Sequence, residues 1–353
     1  MHRPAWYSIP VSGETQQAAV PGRGKRLASA VRWGVVLLVL LAGMRFMIGM
    51  PGNSWSGPLP PLTAGQQLIH DNLERHVTEL AANIGERNVW RPEALTAASG
   101  YIRKSLEAAG YTVSVQPFTS RGQTVNNLEV ILPGTAAADE NIVIGAHYDS
   151  VDGTPGANDN ASGVAALLEL ARLLAGTALL RSVHFVAFAN EEAPFFYGEE
   201  MGSKRYADHA RAQGKRIEAM LSLETIGYYT DQQDSQRYPF PFNLFYPDTG
   251  NFIGFVGDLS SWRLVRRAIG AFRATTSFPS QGVAAPRSTR GVHWSDHWSF
   301  WQAGYPAIMV TDTAFYRYPH YHAATDTPEK LDYTGLARVT GGLVDVITAL
   351  ATD

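Results

Sequence analysis

The chain has 353 residues, of which 45% are apolar, 17% charged and 11% aromatic. This composition supports a folded core and excludes disordered and collagen-like proteins, while the absence of cysteine excludes disulfide frameworks, thiol nucleophiles and Cys-ligated zinc. The net charge of −3 divides into +5 for residues 1–50, with six basic residues and one acidic residue, and −8 for the remaining 303. Such an acidic body argues against nucleic acid as a partner.

The first candidate element is an apolar run over residues 27–50, interrupted by Arg32 and Arg45. A membrane span needs roughly 20 apolar residues, so this run predicts a transmembrane signal-anchor. The basic tail, residues 1–26, then places the N-terminus in the cytoplasm and the rest of this single-pass protein in the periplasm or outside the cell. A cleavable signal peptide and a buried core helix are the alternatives. Residues 51–63 are rich in Pro and Gly, which predicts a linker.

Residues 64–353 are predicted to form one large α/β domain. Its predicted elements, in chain order, are helices over 65–84 and 92–109, strands over 111–117, 127–132 and 141–146, a helix over 161–174, a strand over 183–189, a helix over 200–213, strands over 219–223 and 252–257, a helix over 260–275, a strand over 307–310 and a helix over 333–350. Short apolar strands that alternate with helices predict a three-layer αβα architecture around a central mixed, largely parallel sheet. Residues 231–250 show no helical period and are predicted to be a loop insertion.

Charged side chains recur where the predicted strands end, and ligands of α/β sheets bind at the carboxyl ends of strands. Each has a structural explanation when taken alone: Asp159 is a good helix N-cap, and a histidine after a buried strand is often simply hydrogen-bonded. Their combination is harder to explain as structure, because imidazole and carboxylate ligands without cysteine suit a catalytic zinc site. The residues concerned are His147, Asp149, Asp159, Glu191, Glu192, Glu224, His320 and His322.

Several motifs around these residues resemble the co-catalytic zinc peptidase family, which includes leucyl-type aminopeptidases, glutamate carboxypeptidases and glutaminyl cyclases. The resemblance covers about residues 127–332 and keeps the order and spacing of the motifs. They are His147-Tyr148-Asp149-Ser150, Asn158-Asp159-Asn160-Ala161-Ser162-Gly163, Asn190-Glu191-Glu192, Gly202-Ser203, Ser295-Asp296-His297, Ala303-Gly304-Tyr305-Pro306 and His322-x-x-x-Asp326-Thr327.

The resemblance implies a role for each site residue. His147 and Glu224 would bind one zinc ion, Glu192 and His322 a second, and Asp159 would bridge the two. Glu191 would be the general base, and Asp149 would orient the imidazole of His147. Glutamate at position 224 departs from the aspartate usual in the aminopeptidases, so a single zinc ion is the alternative. His320 competes with His322, but only His322 has the family spacing to Asp326.

The resemblance further implies a zinc metallo-exopeptidase, in the first place an aminopeptidase that cleaves peptides with a free N-terminus through a water bridging two zinc ions. Aromatic residues of the insertion (Tyr238, Phe240, Phe242, Phe245 and Tyr246) and of the segment Trp294–Trp301 are candidates for an apolar side-chain pocket. Arg287 and Arg290 are candidates for the basic pocket of a carboxypeptidase. Two alternatives stay open: a glutaminyl cyclase that uses one zinc ion, and a non-catalytic receptor or scaffold.

Overall fold

The computed structural model describes residues 23–352, and the chain divides into two units at the boundary between Phe46 and Met47. Of the predicted basic tail, residues 1–22 lie outside the described residues. The first unit contains most of helix α1 (Arg23–Ile48). The stretch Val31–Ile48 of this helix has a mean hydropathy of 1.9 and is not buried, so α1 is a candidate membrane span.

The second unit is built on one mixed sheet of eight strands, with the spatial order β1-β2-β4-β3-β5-β8-β6-β7. The strands are β1 (Ser114–Ser120), β2 (Gln123–Leu132), β3 (Ala137–His147), β4 (Arg181–Phe188), β5 (Arg216–Glu224), β6 (Ile253–Asp258), β7 (Ser280–Ala285) and β8 (Ala307–Thr311). The central pairings β4–β3, β3–β5 and β5–β8 are parallel, as is β6–β7, whereas β1–β2, β2–β4 and β6–β8 are antiparallel. The parallel centre therefore brings four strand ends to one edge of the sheet.

Helices cover both faces of the sheet. The helices of this unit are α2 (Ala64–Val77), α3 (Pro92–Ala108), α4 (Gly163–Leu174), α5 (Gly202–Ala212), α6 (Trp262–Thr275), α7 (His297–Gln302) and α8 (Tyr333–Thr352). Helices α2, α3, α4, α6 and α8 pack on one another, and α5 packs on α7. Alternate residues of β3 divide between the two layers: Ile142 and Ile144 join the core beneath the first group of helices, whereas the equally buried Val143 does not. The predicted αβα architecture is confirmed.

Two elements and several strand boundaries differ from the sequence-based predictions: β2, β3 and β5 each begin three or four residues before the predicted start. Strand β7 and helix α7 were not predicted, because β7 is made of small and polar residues around Gly282 and α7 has only six residues. Strand β1 begins at Ser114 and extends to Ser120, whereas the alternation of side chains predicts 111–117. Helix α3 begins at Pro92 as predicted, because the fixed φ of proline suits the first turn of a helix.

The segment Met50–Pro60, which we call the strap, contains no helix or strand and contacts the rest of the second unit at several separate points. Met50 lies against the edge strand β7, since a Cβ added to Gly282 would come within 2.9 Å of its Cγ. The guanidinium of Arg273 donates to the carbonyl oxygens of Pro51 (3.1 Å) and Gly52 (3.2 Å). Farther along, the backbone N–H of Ser280 on β7 donates to the Ser54 hydroxyl at 2.9 Å, and Arg338 of α8 donates to Pro60 O.

Candidate metal centre

Four neighbouring parallel strands deliver most of the predicted site residues to one edge of the sheet. His147 is the last residue of β3 and Glu224 the last of β5, while Glu191 and Glu192 follow the end of β4. His322 lies in the loop between β8 and α8. Because β4, β3, β5 and β8 are adjacent and parallel, their carboxyl ends converge on the same place.

Asp159 stands at the centre of the cluster, with its two carboxylate oxygens directed to different histidines. Its Oδ1 is 3.3 Å from Nε2 of His147, and its Oδ2 is 3.0 Å from Nε2 of His322. Glu224 Oε2 lies 3.2 Å from the same His147 nitrogen, and Glu192 Oε1 lies 3.5 Å from that of His322. The geometry thus brings together all five predicted ligands, with Asp159 between the two histidines.

Several atoms of this cluster lack the hydrogen bonds that buried polar atoms normally make. Nε2 of His147, Oδ1 of Asp159 and Oε1 of Glu192 are buried and have no hydrogen-bond partner among the described residues. One ligand atom from each of these three residues lies within 4.8 Å of the others. Unsatisfied imidazole and carboxylate atoms that converge on one point are the arrangement that a zinc ion requires, so these residues fit a metal site.

The charges of the cluster also call for a cation. Burial opposes ionisation of Asp159, but the imidazoles of His147 and His322 outweigh it and hold the pKa of that carboxyl below its ordinary range. Burial raises the pKa of Glu191 well above its ordinary value, and the negative charges of Glu192 and Glu224 raise it further, against the effect of His147. Several carboxylates buried together are costly without compensating positive charge, which a divalent ion would supply.

Glu224 and Glu191 face the cluster in different ways. The Glu224 carboxylate accepts a hydrogen bond of 2.7 Å from the Ser295 hydroxyl, which fixes the longer side chain with Oε2 beside His147. Glu191 is also buried, but its carboxylate accepts no hydrogen bond from the described residues, and its Oε2 lies 3.9 Å from Nε2 of His147. A carboxylate next to the ligands with its oxygens free is suited to accept a proton.

Asp149 holds the backbone that carries the two glutamates. Its carboxylate oxygens accept the backbone N–H groups of Glu191 and Glu192, each at 3.1 Å. The Nδ1 of His147 lies 3.2 Å from the backbone carbonyl oxygen of Asp149 and 3.5 Å from its carboxylate. The expected contact with the imidazole is therefore made mainly by the carbonyl, and the carboxylate joins the end of β3 to the loop after β4.

Asp326 holds the backbone at Asp159 in the same way as Asp149 holds the backbone of the two glutamates. Its carboxylate accepts the backbone N–H groups of Asn158 (2.8 Å) and Asp159 (3.1 Å), and also the Tyr318 hydroxyl (2.7 Å). This clamp connects the loop of His322 to the turn that carries Asp159. The motif spacing includes Asp326, but sequence analysis did not assign it this role.

Backbone strain is concentrated beside the candidate ligands. Among the described residues, eight non-glycine residues have a positive φ, and three of them are Asn190 (58°), Thr225 (45°) and His322 (54°). Asn190 directly precedes Glu191, and Thr225 directly follows Glu224. His322 is itself a candidate ligand. Such conformations are uncommon for side chains with a Cβ, and they persist where the surrounding structure enforces a functional geometry.

Arg87, which sequence analysis did not select, is fully buried next to the cluster. Its guanidinium donates to the carbonyl oxygens of Tyr148 (2.7 Å), Pro155 (2.5 Å) and Gly156 (2.8 Å). The backbone N–H of Ser150 donates in turn to Arg87 O at 3.0 Å. One side chain therefore fixes both ends of the loop that begins after His147 and ends before Asp159. Every residue has a backbone carbonyl, so no local sequence pattern identifies Arg87 as a residue that binds these carbonyl oxygens.

Three other predicted candidates lie away from the cluster. The imidazole of His320 lies 2.8 Å from the Thr325 hydroxyl and has no recorded contact with the five ligands among the described residues. Arg287 forms an ion pair of 2.7 Å with Asp258, so its charge is already paired. Arg290 stacks over Trp294 and Phe315.

An apolar cavity opens beside the cluster and reaches Glu224. Its empty volume is about 810 Å³, open solvent at its mouth included. Of the five aromatic residues predicted in the insertion, Tyr238, Phe242 and Tyr246 line it, whereas Phe240 and Phe245 are exposed. The other aromatic residues of its wall are Phe252, Phe255, Trp294, Phe315, Tyr316 and Tyr321. Glu224 joins this cavity to the metal centre.

Zinc removal is expected to lower the melting temperature of the full-length protein, because a ligand that binds only the folded state stabilises it, by about 2.7 kcal/mol at a hundred times its Kd. The measurement is a thermal melt in detergent with and without chelator, followed by zinc readdition. Asp159→Asn, which weakens both halves of the cluster, is expected to lose most of the chelator effect. An equal shift in the wild type and this variant would argue against zinc at this site.

Comparison with known proteins agrees with the fold and the motifs. The family model of peptidase family M28 matches residues 127–347. The chain is 36% identical over 322 residues to the uncharacterized protein YfbL of Escherichia coli (strain K12), covering 89% of this chain and 96% of that protein. In fold it is similar to BSAP, a zinc aminopeptidase from Bacillus subtilis (TM-score 0.63, 16% identity, 83% of this chain and 97% of that one). A glutaminyl cyclase from Fimbriiglobus ruber is similar too (TM-score 0.60, 22% identity, 83% and 99%).

Proposed function

The chain belongs to peptidase family M28, and we propose that it is a membrane-anchored zinc aminopeptidase, which releases residues from the N-terminus of peptides. The observation that carries the proposal is the junction of the five-ligand cluster with the apolar cavity at Glu224. A peptide bond held at the cluster would leave the N-terminal side chain in the cavity. The aromatic walls favour a large apolar side chain there.

The proposed ligands are His147, Asp159, Glu192, Glu224 and His322, in the arrangement implied by the family resemblance. Zinc bound there would polarise the scissile carbonyl and make a water molecule more acidic. The position of Asp159 between the two histidines favours two ions over one.

Glu191 is the proposed general base. Its unpaired carboxylate faces the ligands and can take a proton from the attacking water and return it to the leaving amine. Tyr321 is placed to help, since its ring stacks on that of His322 with centroids 3.9 Å apart and lines the cavity. Burial and the nearby carboxylates raise the pKa of Tyr321 well above its ordinary value, so its hydroxyl stays protonated and can donate to a substrate oxygen.

Two features argue against a glutamate carboxypeptidase. The substrates of such an enzyme carry carboxylates, which a basic pocket must bind. Of the two arginines predicted for that pocket, Arg287 is paired with Asp258 and Arg290 lies over aromatic rings at the cavity wall. The other residues of the cavity wall are mostly apolar.

The proposed anchor is helix α1, with the N-terminus in the cytoplasm and the catalytic domain outside. Its support is the apolar stretch Val31–Ile48 together with the basic residues that precede it in the sequence. A signal sequence passes the same test of length and composition, so N-terminal sequencing of the mature protein distinguishes an anchor from a cleaved leader.

The activity is tested on the zinc-loaded full-length protein with reporter amides of leucine, phenylalanine and glutamate, the N-acetylated leucine amide, and peptides with N-terminal glutamine. We expect hydrolysis of the leucine and phenylalanine amides, none of the acetylated amide, and complete loss with chelator. Ammonia release with ring closure of the glutaminyl peptide, and one zinc ion per chain, would instead assign a glutaminyl cyclase. Absence of both activities in protein that binds zinc would overturn the proposal.

A further inference from the structure

Helix α6 presents a basic face away from the core. Its apolar residues Leu264, Val265, Ala268, Ile269 and Phe272 are buried. Its outer side carries the exposed Arg263 and Arg267, and the helix contains no acidic residue. Arg263 and Arg267 are exposed and form no ion pair with any residue in the described range 23–352. Unpaired positive charge on an exposed helix face is typical of a surface that binds anions.

The strap contacts the same helix. Pro51 lies against Gly270, where an added Cβ would stand 3.1 Å from the proline ring, and Arg273 holds the carbonyl oxygens of Pro51 and Gly52. Met50 packs against the core beside Gly282. These contacts tie the chain to α6 immediately after the apolar segment ends.

The length of chain available places α6 close to the end of that segment. Two residues separate Ile48, where the candidate span ends, from Pro51, and the three steps between these two Cα atoms reach at most about 11 Å. From Gly270 back to Arg263 is seven residues along the helix, or about 10 Å. With the Pro51–Gly270 contact included, and if Val31–Ile48 crosses a bilayer, the arginines of α6 stand within about 30 Å of the point where the chain leaves it.

From this charge and this tether we infer that the basic face of α6 binds the headgroups of anionic phospholipids in the membrane that holds α1. The inference rests on the proposed membrane anchoring. Arg263 and Arg267 would contact phosphate groups, and Trp262, which both Arg263 and Arg266 contact through its ring, would sit at the interface where tryptophan is favoured. The catalytic domain would then be held in a fixed orientation on the lipid surface.

The experiment uses the natural lack of cysteine, which allows single cysteines to be labelled in the full-length chain. Ala274→Cys labels the exposed end of α6, and Ala97→Cys, exposed on α3 near the other end of the sheet, is the matched control. Both proteins carry a fluorophore and are reconstituted in vesicles that contain a headgroup-nitroxide lipid quencher. One set of vesicles contains phosphatidylglycerol and the other only phosphatidylcholine.

In vesicles with phosphatidylglycerol, we expect severalfold stronger quenching at position 274 than at position 97. In vesicles of phosphatidylcholine alone, the quenching at position 274 should be clearly weaker. Charge reversal by Arg263→Glu together with Arg267→Glu is expected to remove the difference in quenching between positions 274 and 97. The control substitution Lys104→Glu on α3 should leave that difference unchanged. Both variants should hydrolyse soluble peptides at the wild-type rate. Equal quenching at the two positions, or quenching indifferent to lipid charge, would overturn the inference. Either of these results would also be expected if the partner of α6 were an acidic protein instead of a lipid.

Vesicle flotation in alkaline carbonate separates this inference from the proposed anchoring. A chain that fails to float is not integrally anchored, and both proposals fall. A chain that floats while position 274 remains unquenched keeps its anchor, and only the assignment of α6 to the lipid surface is wrong.

Discussion

Glu191→Gln is expected to reduce kcat by about 10²- to 10⁴-fold, the range that general acid–base catalysis supplies. Glutamine has the same shape but cannot accept a proton from water. Because Glu191 is not among the proposed ligands, zinc content and melting temperature should stay close to those of the wild type. The measurements are steady-state kinetics on a leucine amide and elemental analysis of the purified protein.

Glu199→Gln is the matched control, since Glu199 lies in the same loop after β4 but is exposed and pairs with Lys204. It should retain wild-type turnover. Wild-type turnover in the Glu191→Gln variant would exclude Glu191 as the base, and a parallel loss of zinc would indicate that it acts as a ligand instead.

Arg87→Leu is expected to lower the free energy of unfolding by about 3–5 kcal/mol, since it leaves several buried carbonyl groups without a donor. It should also weaken zinc binding at least tenfold, because the loop that separates His147 from Asp159 loses the side chain that fixes both of its ends. Chemical unfolding gives the first quantity, and competition with a chromophoric chelator on folded protein gives the second.

Arg87→Lys keeps the positive charge but not the planar fork of donors, so an intermediate zinc affinity is expected, in a variant more certain to fold. The control is Arg172→Leu, which breaks an ion pair with the buried Glu169 on α4 and should reduce stability without changing zinc affinity. If the Arg87 variants bind zinc as tightly as the wild type, the residue supports the fold alone.

The sequence predicts the centre of the sheet well, because buried parallel strands are short apolar runs and their ends carry the charged groups of the site. His147 and Glu224 stand directly after the predicted strands 141–146 and 219–223, and they are the last residues of β3 and β5. The edge of the sheet is harder to predict. Strand β7 owes its conformation to pairing with β6 rather than to the propensity of its own residues.

The site shows the same division between local and distant information. Motifs identify the side chains that form the candidate metal centre, because those residue types carry the chemistry. The groups that hold them in place are hydrogen-bonded to backbone atoms, as with Arg87, Asp149 and Asp326. Any residue supplies a backbone N–H or carbonyl, so the partners of these side chains cannot be recognised in a sequence.

The strap also protects the sheet itself. Strand β7 is the last strand on its side, and the free edge of such a strand is a template for pairing with another chain. Here Ser54 accepts the N–H of Ser280, Tyr246 donates to Gly282 O at 2.6 Å, and Met50 lies across Gly282. A chain shortened to begin at α2 would lose the contacts of Ser54 and Met50 with β7 and would expose this edge. We therefore expect a soluble version of the enzyme to resist aggregation best when it begins before Met50.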